Sequence, residues 1–248
     1  MSLKIKACIN WTLGLLAMKD LDMKGESMEL QEAIRKRRSI RHFRSKSVSE
    51  NIIQGLVADS LWAPSWGNTQ PWEVVVATGS KLEEFKKKNK EALLAGKEAA
   101  PDIPMPQVWS EAYLARYKEL GKSVLNALSI ARDDKEARLQ HFVKMFSFFD
   151  APAIVLVAVD KELSIEYAML DAGIFLQTFC LLAHDRGLGT CILAAMVSYP
   201  DIARELFSVP KSKLFVMGAA LGWPNPDAPV NCFERQRGAL DEFVRWVK

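Results

Sequence analysis

Residues 34–43 read IRKRRSIRHF and set Arg35, Lys36, Arg37, Arg38 and Arg41 around one serine, Ser39, before closing on Phe43. Upstream, residues 29–34 have the spacing of a short helix, with Leu30, Ala33 and Ile34 on one face. Past Arg37 the pattern turns extended: Arg37, Ser39 and Arg41 fall on one side, Arg38, Ile40 and His42 on the other. Guanidiniums on either side of a hydroxyl form a permanently charged site suited to a phosphate. A run this basic has a plainer reading as a solvated turn or a nucleic-acid patch. Nucleic-acid platforms, however, interleave aromatics with the cations, and only Phe43 does so here. The run also leads into a folding signal. Ser47-Val-Ser-Glu50 has the form of a capping box, in which Ser47 caps a helix running to about Trp62. Ile52, Ile53, Leu56, Val57 and Leu61 mark that helix's buried stripe.

The 248 residues have room for one large domain or two small ones. With 49% apolar and 25% charged residues the balance is that of an ordinary globular protein, and a net charge of +3 defines no partner. Cys8, Cys180, Cys191 and Cys232 form no CxxC pair and read as reduced, mostly buried thiols of a cytoplasmic protein. His42, His141 and His184 sit in no HExxH or Cys/His cluster, which speaks against a metal site. Residues 1–27 place Lys4 and Lys6 before an apolar run broken by Asn10 and Thr12, with no small-x-small cleavage site after it. This extension reads as an amphipathic helix or as extra residues ahead of Met28, and not as a secretion signal.

After the first capped helix, residues 63–72 (APSWGNTQPW) form a loop that Pro64, Gly67 and Pro71 keep from being helical. It carries Ser65, Asn68, Thr69 and Gln70, and the Asn and Gln amides suit the mixed donor and acceptor edge of a heterocycle. A strand is expected over residues 73–78, then a charged surface helix over 81–96 whose Lys86-Lys-Lys88 run is solvated. Helical periodicity returns over 107–128 and 135–146, and residues 154–159 (IVLVAV) read as a buried strand. Residues 164–186 are apolar nearly all round and long enough for a bilayer, but Glu166, Asp171 and Gln177 mark them as a core helix. Gly187 caps it, and a strand over 191–194, a helix over 200–207 and a buried strand over 214–221 follow. A Pro- and Asn-rich loop and the pair Arg235, Arg237 precede a last amphipathic helix over 239–247. Helices and strands intermix without a boundary or repeat, which gives one α+β domain over residues 28–248.

No GxGxxG, GxxxxGK[ST] or GxSxG motif is present, and Ser39-x-x-His42 among arginines makes a poor nucleophile and base. The chain offers anion- and heterocycle-binding groups without an acid–base apparatus, as expected where a cofactor performs the chemistry. Three stretches, in order and spacing, resemble the FMN-dependent nitroreductase family: Arg37-Arg38-Ser39-Ile40-Arg41-x-Phe43, Pro64-Ser-x-x-Asn68-x-Gln70-Pro71-Trp72 and Gly187-Leu-Gly-Thr190. Arg235-x-Arg237 fits too. Pro106-x-x-Trp109, Tyr113-x-x-Arg116 and Phe148-Phe149-x-Ala151-Pro152 are similar to the subgroup of nitrobenzene and nitrobenzoate reductases.

The resemblance implies a central mixed, mainly antiparallel sheet flanked by helices, in an intertwined homodimer with FMN at the interface. Arg37, Arg38, Ser39 and Arg41, with Arg235 and Arg237, would hold the phosphate, ribityl chain and pyrimidine edge. Pro64, Ser65, Trp66, Asn68 and Gln70 would approach the flavin, some of them from the partner subunit, and Trp66 is bulkier than the usual residue. Leu193, Ala194 and Ala195 would lie against the isoalloxazine ring, where many relatives have Pro-x-Glu-Gly; a backbone donor toward flavin N5 survives that change. The implied activity is NAD(P)H-dependent reduction of a small aromatic acceptor, a nitro compound or quinone, by a ping-pong mechanism. No residue acts as acid or base, and neither a metal, a nucleic acid nor a membrane takes part. The alternatives are flavin destruction, dehalogenation or flavin binding without turnover.

Overall fold

The structure is a computed structural model describing residues 28–248; the N-terminal extension and Cys8 lie outside the described residues. Four strands, β1 (Trp72–Thr78), β2 (Ala153–Asp160), β3 (Gly189–Leu193) and β4 (Lys213–Gly222), form one sheet in the order β1-β2-β4-β3. All three strand pairs are antiparallel. The parallel pairing expected of a mixed sheet is confined, among the described residues, to an isolated bridge between Ser39 and Thr190.

β2 is the centre of the molecule because it is apolar on both faces. Ile154, Leu156 and Ala158 point to one layer, Val155, Val157 and Val159 to the other, and all are fully buried. The first layer is built from α3 (Gly79–Leu94), α5 (Lys135–Phe146) and α7 (Pro200–Phe207), through Leu82, Phe85, Met145, Ala203 and Leu206. The second is built from α2 (Glu50–Ser60) and α6 (Ile165–Asp185), through Ile53, Leu56, Phe175 and Phe179. The remaining helices, α1 (Leu30–Lys36) and α4 (Glu111–Ala127), lie at the periphery.

The period-reading held for α5 and α7 to the residue, and for the strands within one or two residues. Several local expectations did not hold. α2 begins two residues later than the capping box implied: Ser49, not Ser47, is the N-cap, and its side chain makes no capping hydrogen bond. The Ser47 carbonyl instead accepts the Trp223 indole N–H. Leu30 and Ile34 are exposed, and only Ala33 of α1 is buried. Lys86 is not solvated; its stem is buried against the core and its ammonium reaches Glu83 at 2.7 Å. Cys180 and Cys191 are buried free thiols, but Cys232 is exposed.

Two further differences concern apolar residues left exposed. α6 is not apolar-buried all round, since Tyr167 and Leu170 are 55% and 60% exposed. The expected helix over residues 239–247 is reduced to one 3-10 turn, Leu240–Glu242, and Phe243, Trp246 and Val247 stay exposed. An isolated segment of that length does not hold a helix without a surface to pack on.

α6 ends in a Schellman turn: Gly187, at φ +71°, donates to the His184 carbonyl and Leu188 to the Ala183 carbonyl. The turn delivers β3 directly against the basic segment. The Ile40 N–H donates to the Thr190 carbonyl at 2.8 Å. A Cβ on Gly189 would stand 2.5 Å from Ile40 Cγ1. Gly189→Ala is therefore expected to cost about 1–3 kcal/mol by overpacking, visible as a lower melting temperature. A wild-type melting curve for that variant would mean Ile40 moves aside freely.

Candidate functional site

A cavity of about 710 Å³ lies between the basic segment, α4 and the C-terminal segment. Arg37, Arg38, Ser39, Arg41, Arg235 and Arg237 all line it, so residues some 200 positions apart meet at one place. Ala115, Arg116, Glu119, Leu120 and Ser123 of α4 close another side, and none of these was expected there as a binding residue.

The cations divide by what they already hold. Arg38 donates to the carbonyls of Asn231 and Phe233, and its guanidinium lies 5.8 Å from the Phe233 ring centroid. Arg235 donates to the carbonyls of Arg35 and Arg37. These two are staples that tie the C-terminal segment to the basic one. Among the described residues, Arg41 makes a single 3.3 Å side-chain bond, to the Ser39 carbonyl, and Arg237 bonds only the neighbouring Gln236 carbonyl. Arg37 Nε is buried and has no hydrogen-bond partner among them. So Arg37, Arg41 and Arg237 are the donors with capacity left, and period-two alternation failed at Arg38 because backbone carbonyls captured it.

The electrostatics agree with the geometry. Burial, then the guanidiniums of Arg38, Arg237 and Arg37, pull Arg235 below its ordinary pKa. Like charges so crowded are relieved by an anion among them. Two histidines feel the same field. Burial and then Arg41 and Lys144 lower His141, which packs on Phe149, and burial and then Arg37 and Arg235 lower His184. Both imidazoles are thus kept from adding positive charge.

Asn231 organises the site and was not singled out by sequence reasoning. It is buried; its Oδ1 accepts the Arg41 N–H at 2.8 Å and its Nδ2 donates to the His42 and Asn225 carbonyls at 2.7 and 2.9 Å. Asparagine in a loop signals bonding to backbone. Nothing local could name partners 190 residues away.

The other expected site residues lie apart from this cavity. Pro64, Asn68 and Gln70 are exposed, with Asn68 and Gln70 at positive φ. Ser65 Oγ accepts the Gln70 N–H at 2.9 Å, and the Trp66 N–H donates to both oxygens of the buried Asp171 carboxylate at 3.1 and 3.2 Å. The Trp66 ring packs on Tyr167 and helps wall a second hollow of about 310 Å³ with Pro71, Leu163 and Asp171. The loop is held rigid while its amides face outward. Leu193 and Ala195 are buried and Ala194 half-buried where β3 ends, and none of the three lines the cationic cavity. No group of three or more His, Cys, Asp or Glu residues suited to a metal occurs among the described residues.

Comparison with known proteins accords with this geometry. A sequence profile of the Nitroreductase family matches residues 34–223. The chain is 32% identical over 221 residues to nitrobenzene nitroreductase of Ectopseudomonas oleovorans, covering 88% of this chain and 96% of the relative. Among solved structures it is similar to the FMN and NADPH-dependent nitroreductase NfnB of Sphigopyxis sp. strain HMH, with a TM-score of 0.86 at 27% identity, covering 89% of this chain and 100% of that one. It is also similar to the FMN-dependent NfnB of Mycobacterium smegmatis solved with NADPH, with a TM-score of 0.83 at 26% identity, covering 88% and 97%. With the family profile matched over residues 34–223 and a relative 32% identical over 88% of the chain, the chain belongs to the nitroreductase family.

Proposed function

We propose that this protein is an FMN-dependent NAD(P)H oxidoreductase that reduces nitroaromatic compounds, and by the same chemistry quinones. The observation that carries the reading is the convergence of Arg37, Arg41 and Arg237 on one 710 Å³ cavity, with Arg37 Nε buried and unpartnered. These residues fit a phosphate monoester: the donors are cationic, uncommitted and mutually repelling. Arg37, Arg41 and Arg237 would hold the phosphate and ribityl oxygens, with Ser39 beside them and Arg38 and Arg235 fixing the walls. FMN, when bound, supplies the centre that accepts and donates hydride. The chain's part is to bind it, orient it and surround it with positive charge, which favours the anionic form on hydride acceptance.

The second set of site residues, Pro64, Ser65, Trp66, Asn68 and Gln70, belongs in this reading to the flavin of a second copy. Their loop is rigid, exposed and remote from the chain's own cationic cavity. A homodimer would also cover the bare face of α6 at Tyr167 and Leu170 and the apolar residues of the C-terminal segment, which a lone chain leaves in water. Leu193, Ala194 and Ala195 would border the ring from β3. Residues 28–248 form the FMN-binding domain in this reading and residues 1–27 an extension to it.

The family relatives' names point to nitrobenzene-type acceptors. With no second nucleotide fingerprint in the chain, donor and acceptor would share one face of the cofactor in turn, giving ping-pong kinetics. The test is anaerobic: NADPH should bleach the FMN absorbance of the loaded protein, and nitrobenzene should restore it. Double-reciprocal plots should then be parallel. Protein that takes up no FMN would overturn the reading, and intersecting lines would overturn the shared face.

A further inference from the structure

We infer that Arg116 is a positioning residue, latching the C-terminal segment onto α4 so that Arg237 stays over the cationic cavity and the phosphate-bearing cofactor is released slowly. The inference rests on the FMN reading above.

Arg116 is the one charged member of the Trp109, Tyr113, Arg116 motif, and the function just described does not use it. It lines the cavity from α4, and its Nη2 meets Glu242 Oε2 at 2.5 Å, 126 residues away. Its guanidinium also lies 5.0 Å from the Phe243 ring centroid and 5.9 Å from that of Tyr113. Phe243 in turn packs on Gly238, where a Cβ would stand 2.6 Å from Phe243 Cε2. Gly238 follows Arg237 directly. Arg116 therefore reaches Arg237 through Phe243 and a glycine that accepts the ring only because it has no side chain.

The acid half of the latch is pre-set. Glu242 Oε1 accepts the Ala239 N–H at 2.7 Å, closing the turn that aims the other oxygen at Arg116. The Ala239 N–H and then Arg116 hold the Glu242 carboxyl below its usual range, so the pair stays charged at neutral pH. Its side chains are 43% and 46% exposed, and such a pair contributes little to global stability. A contact of that size, reinforced by a cation–π contact, alters how fast a segment opens more than whether the chain folds.

The experiment measures FMN release from the loaded full-length protein by the rise in flavin fluorescence after dilution. Arg116→Ala and Glu242→Gln should each release FMN roughly fivefold faster than wild type, with nearly unchanged melting temperatures. The exchange Arg116→Glu with Glu242→Arg should restore most of the slow release. The gap between wild type and Arg116→Ala should narrow in high salt, as exposed ion pairs are screened. Wild-type release rates in both single variants, from protein that binds FMN, would overturn the latch while leaving the cofactor assignment standing. Fast release in Arg116→Ala alone, without rescue by the exchange, would show Arg116 touching the cofactor itself and equally overturn it. Wild-type protein that never takes up FMN would instead bring down the cofactor reading. Glu242→Gln carries the test if Arg116→Ala does not fold.

Discussion

Arg41→Ala is expected to weaken FMN binding by roughly ten- to a hundredfold, while Arg35→Ala leaves it within about twofold. Arg41 lines the cationic cavity and its guanidinium makes one long bond, so its other donors are available to a ligand. Losing a charge-assisted hydrogen bond costs about 1.5–3 kcal/mol, which sets the range. Arg35 lies on α1 and does not line the cavity; its contribution to the site is its backbone carbonyl, which Arg235 holds whatever side chain is present. Fluorescence titration of FMN into the apoproteins decides the matter. Equal losses in the two variants would show that the basic run acts as a diffuse positive field and not as a set of placed donors.

The largest effect on stability is expected from Asn231→Ala, which should destabilise the protein by about 2–4 kcal/mol. The substitution leaves the Arg41 N–H unpaired and takes one donor each from the His42 and Asn225 carbonyls, which keep only the N–H groups of Asn225 at 3.1 Å and Ala228 at 3.4 Å. The orphaned N–H costs about 1–3 kcal/mol and each lost bond to a carbonyl about 0.5–1.5 kcal/mol, which for a chain of this length lowers the melting temperature by roughly 5–10 °C. FMN affinity should fall with it, because Asn231 holds the backbone on which Arg41 is mounted. Asn231→Asp separates the two halves of the role. A carboxylate can still accept from Arg41 but sets an acceptor oxygen against the two carbonyls where the amide donated, so a destabilisation of similar size should remain. If Asn231→Asp melts like wild type, the Asn225 and Ala228 N–H groups suffice for the two carbonyls and the residue is not the hub of the segment.

Both variants turn on the division between cations that bind a ligand and cations that bind the protein. Side-chain type alone did not reveal that division. Arg37, Arg38, Arg41, Arg235 and Arg237 are the same residue in sequence, and all five reach the cavity. Whether a guanidinium is free depends on which carbonyls come near it, and those of Asn231, Phe233, Arg35 and Arg37 arrive through the chain's return from β4. The same return explains why α4 walls the cavity although its own residues carried no sign of it.

What was legible from residues alone was everything governed by neighbours a few positions away. Periodicity marked α5, α7 and the buried strand β2, and glycine at Gly187 marked the turn that ends α6. The clustering of Arg37, Ser39 and Arg41 in one short stretch was legible too, and the three line one cavity. What only tertiary packing decided was which partners those groups meet. Ser49 took the N-cap position expected of Ser47, and Lys86 was drawn into the core. The helix over residues 239–247 is reduced to one turn, and Phe243, Trp246 and Val247 are left largely exposed among the described residues. Asn231 shows the physical reason most plainly: its three bonds stabilise the site only once residues up to 190 positions apart are side by side, and no window of sequence contains that contact.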